Sequence, residues 1–560
     1  MMEFTPHLNY FGQTDFRGQR IQFGIKSEDR SRHMYVIGKT GMGKSTLLEN
    51  LAIQDIKNGE GLCFMDPHGG TAEKLLDYVP EERIKDVLYF APFDLDHPVA
   101  FNVMEDIGAD KRHLVLSGLM SAFKKLFGEE SFSDRMQYIL QNTILALLEY
   151  PDATMLGINK MLSEKDYRNK VIANIQDPSV KSYWTKEYAG YTERFAAEAI
   201  PAIQNKIGQF TSNPLVRNII GQTKSTFNFR QAMDEKKILI INLSKGRLGE
   251  SNANLLGSMI ITKLYLAAMS RAETEAKVLK ELPSFFLYVD EFQSFANESF
   301  ADILSEARKY KLSLTIAHQY IEQMPEEVRA AVFGNVGTTV CFRVGPFDAE
   351  VLEKIFLPDF TQEDLVNLGR YQMYLTLMID GVGSKPFSAT TIPPIVQMGP
   401  SFKDEIIANS RRQFAKPREE VEELIKKMHQ GDAPVKLETP KPVTPPPPPP
   451  KPLTPKPTPP PAPRPLPTPA SGGVRNPDPQ NGGGTKPMSL SALAPKKPVN
   501  DAANKADLKA ALDQVMKKPE VKPATQFPTP ATGGVRNPDP QNGGGAKEIP
   551  EDVLKKMLEV

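Results

Sequence analysis

An α/β fold, with a mainly parallel sheet covered by helices, is the architecture this sequence predicts. Three observations predict it. Short apolar runs that read as strands flank a helix-periodic run over residues 34–90, at the spacing of a βαβ unit. A second block of the same kind begins at Lys237. Between the first strand and the first helix lies a glycine-rich loop, Gly38-Lys-Thr-Gly-Met-Gly-Lys-Ser45.

In chain order, residues 1–33 are polar and leave room for a strand or two at most. Met34–Ile37 is an apolar strand that runs into the glycine-rich loop. A helix follows from about Gly43 to Lys57, its apolar face made by Leu47, Leu48, Leu51, Ile53 and Ile56. Gly61–Met65 is the next strand, ending in the turn Asp66-Pro-His-Gly-Gly70, and Asp86–Phe90 is the third. From about 106 to 225 the pattern changes. Lys111–Phe127, Asp134–Tyr150 and Ala196–Thr211 have helical periodicity with no strand between them, which predicts an all-helical insertion. The sheet resumes with Lys237–Asn242, a helix over Asn252–Arg271, the strand Phe285–Val289 and a helix over about Phe300–Tyr310. The strands Leu312–Ala317 and Thr338–Phe342 come next. Gln372–Ile379 and Lys385–Thr391, on either side of Asp380-Gly-Val-Gly383, read as a terminal hairpin, and Pro417–His429 as a closing charged helix.

Composition sets the limits of the folded part. Proline is sparse until about residue 430, and then Pro434–Pro469 holds 19 prolines in 36 positions, more than any packed helix or sheet accommodates. The tail 431–560 is therefore expected to be disordered and extended, with polyproline II as its natural conformation. It carries a repeat: residues 467–484 recur at 528–545 with only Ser471 replaced, by Thr532. Each copy precedes a short potential helix, Lys505–Lys517 or Pro550–Val560. The pair reads either as docking peptides on spacers or as a duplicated linker. The expected organisation is a first part of the sheet domain over 1–105, the helical insertion over 106–225, the second part over 226–430, and the tail.

Lysine plus arginine and aspartate plus glutamate both number 68, so net charge nominates no partner. Two cysteines, Cys63 and Cys341, sit in strand-like runs and offer neither a disulfide framework nor a metal spacing, which fits a reducing compartment. The N-terminus lacks the apolar region of a signal peptide. No run reaches the roughly 18 apolar residues that span a bilayer. A cytoplasmic protein is expected, with any membrane association at the inner face made through partners.

The glycine-rich loop fits G-x-x-x-x-G-K-[ST] at every fixed position, after a strand and opening a helix. The loop residues Gly38, Lys39, Thr40, Gly41, Met42, Gly43, Lys44, Ser45 and Thr46 are the expected nucleotide cradle. Lys44 would supply a point charge to the β- and γ-phosphates and Ser45 a hydroxyl to the Mg²⁺ shell. ATP and Mg²⁺ are the expected ligands. Hydrolysis needs a metal-anchoring acid and a group that orients water. The strand Phe285–Val289 ends in Asp290 and Glu291: the first is suited to hold Mg²⁺ through water, the second to act as general base. The strand Leu312–Ala317 ends in His318 and Gln319. Gln319 is the candidate γ-phosphate sensor, with His318 a weaker neighbour. Arg308, near the end of the helix between these strands, is the candidate arginine finger for an adjacent subunit, and Arg343 is its rival.

These residues in this order resemble the HerA/FtsK superfamily of DNA-pumping motors, with a RecA-like P-loop NTPase core. The likeness rests on Gly38–Ser45, Asp66-Pro-His-Gly69, Phe93-Asp94 with Pro98–Asn102, Val289-Asp-Glu-Phe292, Ala307-Arg308-Lys309 and the strand end at Gln319. It is nearest to the DNA-binding ATPase domain of type IV secretion (conjugation) coupling proteins and covers about residues 30–395. The resemblance implies Lys44, Ser45, Asp290 and Glu291 as the hydrolytic set, Gln319 as sensor, and Arg308 ahead of Arg343 as finger. It implies a homo-hexameric ring with DNA in its pore and an all-helical part facing the DNA. Three features depart from the family: no N-terminal transmembrane helices, no room for a β-barrel before the P-loop, and the proline-rich repeat tail. The expected function is an ATP-driven DNA translocase that grips DNA without sequence preference. Arg112, Lys124, Lys125 and Lys206 in the insertion are candidate contacts, although a solvated helix face accounts for them equally. The alternatives are a pilus-assembly or protein-secretion ATPase of the same superfamily, and a nucleotide-gated adaptor acting through its tail, which would meet a secretion channel or another protein partner.

Overall fold

The computed structural model describes residues 8–15, 20–105 and 108–430. The expected tail, with its repeat and two short helices, lies outside the described residues.

The strands are β1 (Leu8–Gln13), β2 (Gln22–Lys26), β3 (Met34–Ile37), β4 (Gly61–Asp66), β5 (Val87–Phe90), β6 (Ile238–Asn242), β7 (Phe285–Val289), β8 (Leu312–His318), β9 (Thr338–Cys341), β10 (Gln372–Thr376), β11 (Met378–Ile379), β12 (Val382–Gly383) and β13 (Phe387–Thr391). All but β11 and β12, which pair with each other, form one sheet of order β2-β1-β13-β10-β9-β3-β8-β7-β4-β6-β5. From β9 to β5 every neighbouring pair is parallel. Beyond β9 the sheet becomes antiparallel. The β10–β13 hairpin agrees with the sequence reading. The position of the N-terminal strands does not follow from it, because β1 pairs with β13 and with β2, and so brings both strands onto the hairpin's outer edge.

Both faces of the parallel part are apolar, and the period-2 alternation divides them. Met34, Val36, Leu62, Phe64, Ile238 and Ile240 join the core beneath helix α1 (Lys44–Lys57), where Leu47, Leu48 and Leu51 pack against them. Tyr35, Ile37, Cys63, Met65, Leu239 and Ile241 face the other core. That second core continues into the helices between β5 and β6. Among the described residues these include α2 (Arg112–Phe127), α3 (Asp134–Leu148), α4 (Leu156–Ser163), α5 (Glu193–Thr211) and α6 (Pro214–Ile220), and no strand interrupts them. Trp184 is buried there and donates its indole N–H to the Asn142 carbonyl at 3.2 Å. Helix α7 (Glu250–Met269) lies in the same core. By length and composition the stretch Glu250–Glu273 could cross a bilayer, but 67% of its apolar window is buried inside the fold, as a core helix requires.

A buried polar network ties the P-loop helix to the strand that carries the acidic pair. Asp55 on α1 accepts both Arg30 amino groups, at 2.7 and 3.0 Å, and the Tyr288 hydroxyl of β7 at 2.5 Å. Asn9 of β1 adds a fourth donor at 2.6 Å, and the Arg30 guanidinium lies 3.7 Å from the centre of the Phe286 ring. Asp55→Ala strands the Arg30 charge in a site where Arg30 is 2% exposed. Removing one partner of a buried pair costs about 3–5 kcal/mol. The thermal midpoint of Asp55→Ala is therefore expected to fall by several degrees. An unchanged midpoint would show that water or another carboxylate replaces Asp55.

Candidate active site

Gly41 and Gly43 have φ of 77° and 125°, conformations that side chains rarely adopt, and they curl the loop at the C-terminal end of β3. The loop is tied to both neighbouring strands: the Gly38 amide donates to the His318 carbonyl at 3.2 Å and the Lys39 amide to the Arg343 carbonyl at 2.8 Å. Inside the curl Lys44 is nearly buried, its Nζ donating to the carbonyls of Gly38 at 2.6 Å and Lys39 at 3.3 Å. Burial pushes the ammonium below its ordinary pKa, and the nearby Glu291 and Asp290 oppose that shift.

The acidic pair stands where β7 ends, two strands from the loop. The Ser45 hydroxyl donates to Asp290 Oδ2 at 2.9 Å, so the two candidate Mg²⁺ ligands are already adjacent. Burial raises the Asp290 pKa; the Ser45 bond lowers it, and the charges of Glu291 and Asp66 raise it further. A divalent cation at this point would relieve that cost, so the donor set suits Mg²⁺. Glu291 occupies the left-handed region at φ 48°, ψ 51°, rare for a residue with a side chain and a form of strain that collects at functional sites. Its carboxylate accepts from Gln319 Nε2 at 2.5 Å and from Gln293 Nε2. Gln319 Oε1 in turn accepts from the Thr40 hydroxyl at 3.2 Å. One amide therefore links the P-loop to the carboxylate that the sequence marks as general base.

The remaining sequence-derived residues fall into distinct places. His318 is fully buried, pushed down to about 3 by burial and the charges of Lys44 and Lys125, and its Nδ1 meets the Tyr35 hydroxyl at 3.2 Å. It is a neutral core histidine. Asp66 accepts the backbone amides of His68 and Ala72, at 2.8 and 2.9 Å, and so shapes the turn after β4. Arg308 is exposed in the turn before β8, at the end of the strands opposite the P-loop. A strand the length of β8 spans about 20 Å, so Arg308 does not reach its own Lys44. Arg343, by contrast, adjoins its own P-loop through its carbonyl.

Lys124, Lys125 and Lys206 lie around the C-terminal end of α2. Lys124 pairs with Glu129 at 3.7 Å, Lys206 packs 4.5 Å from the centre of the Phe127 ring, and Lys125 lines a small cavity with Glu250 and Asn254. Arg112, at the other end of this helix, is about 20 Å away and lies 4.0 Å from Glu149.

Three residues at the site escape a sequence reading. Gln293 lies two positions beyond Glu291, past Phe292, and no motif marks it. Arg370 and Tyr371 are equally unmarked, since they lie far from the P-loop in the chain and come to it through the connection between β9 and β10. The Arg370 Nε donates to the Gly41 carbonyl at 3.3 Å, and the Tyr371 amide donates to the Met42 carbonyl at 3.2 Å.

Comparison with known proteins bears on the fold. Residues 11–264 match the family profile described as helicase HerA, central domain, and residues 284–355 match the TraM recognition site of TraD and TraG. No curated protein sequence matches. Among solved structures, the bacterial conjugative coupling protein TrwB, in an unbound form, superposes with a TM-score of 0.50 at 16% identity, over 70% of this chain and 90% of that one. TrwB in complex with ADP and Mg²⁺ gives 0.49 at 16%, over 71% and 92%. VirB4 of Thermoanaerobacter pseudethanolicus gives 0.49 at 12%, over 71% and 100%. Over residues 11–264 the chain is therefore similar to the central domain of the helicase HerA, over residues 284–355 to the TraM recognition region of TraD and TraG, and in fold to TrwB.

Proposed function

We propose that the protein is an ATP-driven DNA translocase that works as a homo-hexameric ring, with Mg·ATP hydrolysed at each P-loop. The observation that carries this reading is the bridge from Thr40 through Gln319 to Glu291, because it joins the cradle of the nucleotide to the group that would activate water. A site that only binds nucleotide has no use for that connection.

In this reading Glu291 takes the proton of the attacking water, and Gln319 moves between Thr40 and the γ-phosphate as hydrolysis proceeds. Lys44 holds the β- and γ-phosphates, and Ser45 and Asp290 hold Mg²⁺. When bound, the ion neutralises the phosphate oxygens. Arg308, at the far end of the strands, serves the P-loop of the next subunit, while Arg343 stays beside its own. The helical part, over about 106–225, faces the DNA, with the lysines around the end of α2 as its contacts. We place the protein in the cytoplasm, at the inner face of the membrane through partners, with the tail as the segment that meets them.

Arg308→Ala is expected to lower steady-state turnover about 10³-fold or more, with nucleotide affinity of the isolated chain unchanged. Mixing Arg308→Ala with Lys44→Ala should restore part of the rate, since some interfaces then pair an intact P-loop with an intact arginine. No recovery on mixing would count against a site shared between subunits. The function itself is tested by ATP turnover with and without single- and double-stranded DNA over a salt series. Stimulation that fades as salt rises is the expected result; turnover indifferent to both forms of DNA would refute the DNA motor.

A further inference from the structure

The sheet order gives the nucleotide a direction. The P-loop strand β3 lies between β8 and β9, and the candidate sensor, metal-anchoring acid and general base stand on the β8–β7 side: Gln319 at the tip of β8, Asp290 and Glu291 at the tip of β7. The γ-phosphate must point that way. The α-phosphate, ribose and base then leave over the opposite side, toward β9 and β10.

Two side chains stand there. Tyr371 precedes β10 and is held at both backbone ends, its amide by the Met42 carbonyl at 3.2 Å and its carbonyl by the Thr391 amide at 3.0 Å. Its φ of 67° is left-handed, at a cost of about 1–3 kcal/mol for a residue with a side chain. The ring lies against the P-loop: a Cβ added to Gly43 would stand 3.3 Å from Tyr371 Cδ1. Yet the side chain is 42% exposed. A strained, tethered aromatic usually gains burial in return, and this one keeps a face open beside the cradle. Arg370 is also exposed, its guanidinium 4.9 Å from the centre of the Tyr371 ring and its Nε bonded to the Gly41 carbonyl.

We infer that Tyr371 is the stacking platform for the nucleobase of the bound nucleoside triphosphate, with Arg370 alongside it at the ribose. This rests on the reading of Gly38–Ser45 as the phosphate cradle. Stacking reads the π-face common to all bases, so the platform does not by itself distinguish adenine from guanine.

The test compares Mg·ATP, Mg·GTP and inorganic tripolyphosphate by calorimetric titration of the full chain. Tyr371→Gly is the decisive variant, because glycine adopts φ 67° without strain and keeps the backbone ties to Met42 and Thr391. It is expected to weaken ATP and GTP about 5- to 50-fold and to leave tripolyphosphate within twofold. Tyr371→Phe should bind all three as the parent does. Equal weakening of nucleotide and tripolyphosphate by Tyr371→Gly would overturn the platform and make Tyr371 a support of the loop. Unchanged binding of all three would overturn it as well. A parent chain that binds neither ATP nor tripolyphosphate would instead remove the phosphate cradle, and the platform with it.

Discussion

Glu291→Gln is expected to lower ATP turnover by about 10²- to 10⁴-fold, the usual share of a general base, while the protein still binds ATP. The surroundings make this substitution unusually clean. Gln319 Nε2 and Gln293 Nε2 both donate to Glu291, and a glutamine at that position can accept only one of them. The Oε1 atom of Gln293 is buried with no hydrogen-bond partner. A rotation of the Gln293 amide would let that oxygen accept from the new side-chain amide, so the geometry survives and only the proton acceptor is lost. The expected outcome is a trapped ATP complex, measured by retention of labelled ATP after rapid gel filtration alongside single-turnover rates. Parental hydrolysis by Glu291→Gln would assign the base to another group.

Lys44→Ala should act at the earlier step. The ammonium sits in a water-poor curl, and its present partners are two loop carbonyls that a phosphate would outcompete. Truncating a buried charge that pairs with an anion costs about 2–5 kcal/mol, or roughly 30- to several thousand-fold in affinity. The free protein loses a cation near Asp290 and Glu291 but no hydrogen-bonded carboxylate partner of Lys44, so the thermal midpoint without nucleotide should move far less than the affinity. Titration calorimetry with Mg·ATP checks the loss. Near-parental affinity would mean that the backbone amides alone carry the phosphates.

How far these sites could be read from the sequence depends on how local each signal is. The P-loop, the acidic strand end and the Gln319 strand end are short motifs on strands with strong apolar patterns, and the structure brings them into one cluster. The mainly parallel character of the sheet was legible for the same reason, since each βαβ unit dictates its own crossover. The pairing of β1 with β13 was not, because two polar, short segments at opposite ends of the folded part carry no pattern that names each other. Tyr371 and Arg370 were hidden in the same way: their role comes from the antiparallel turn that follows β9, not from a motif. His318 illustrates the converse. Its place beside Gln319 suggested a phosphate contact, but the alternation along β8 turns consecutive residues to opposite faces, and its side chain goes to Tyr35 in the core.

Motion along DNA driven by hydrolysis at the Lys44–Glu291 site is read by displacement of streptavidin from end-biotinylated DNA, single- and double-stranded. Displacement is expected from at least one form with Mg·ATP, with none for a non-hydrolysable analogue and none for Glu291→Gln despite bound ATP. Vigorous ATP turnover on DNA with streptavidin left in place on both forms and at both ends would contradict it.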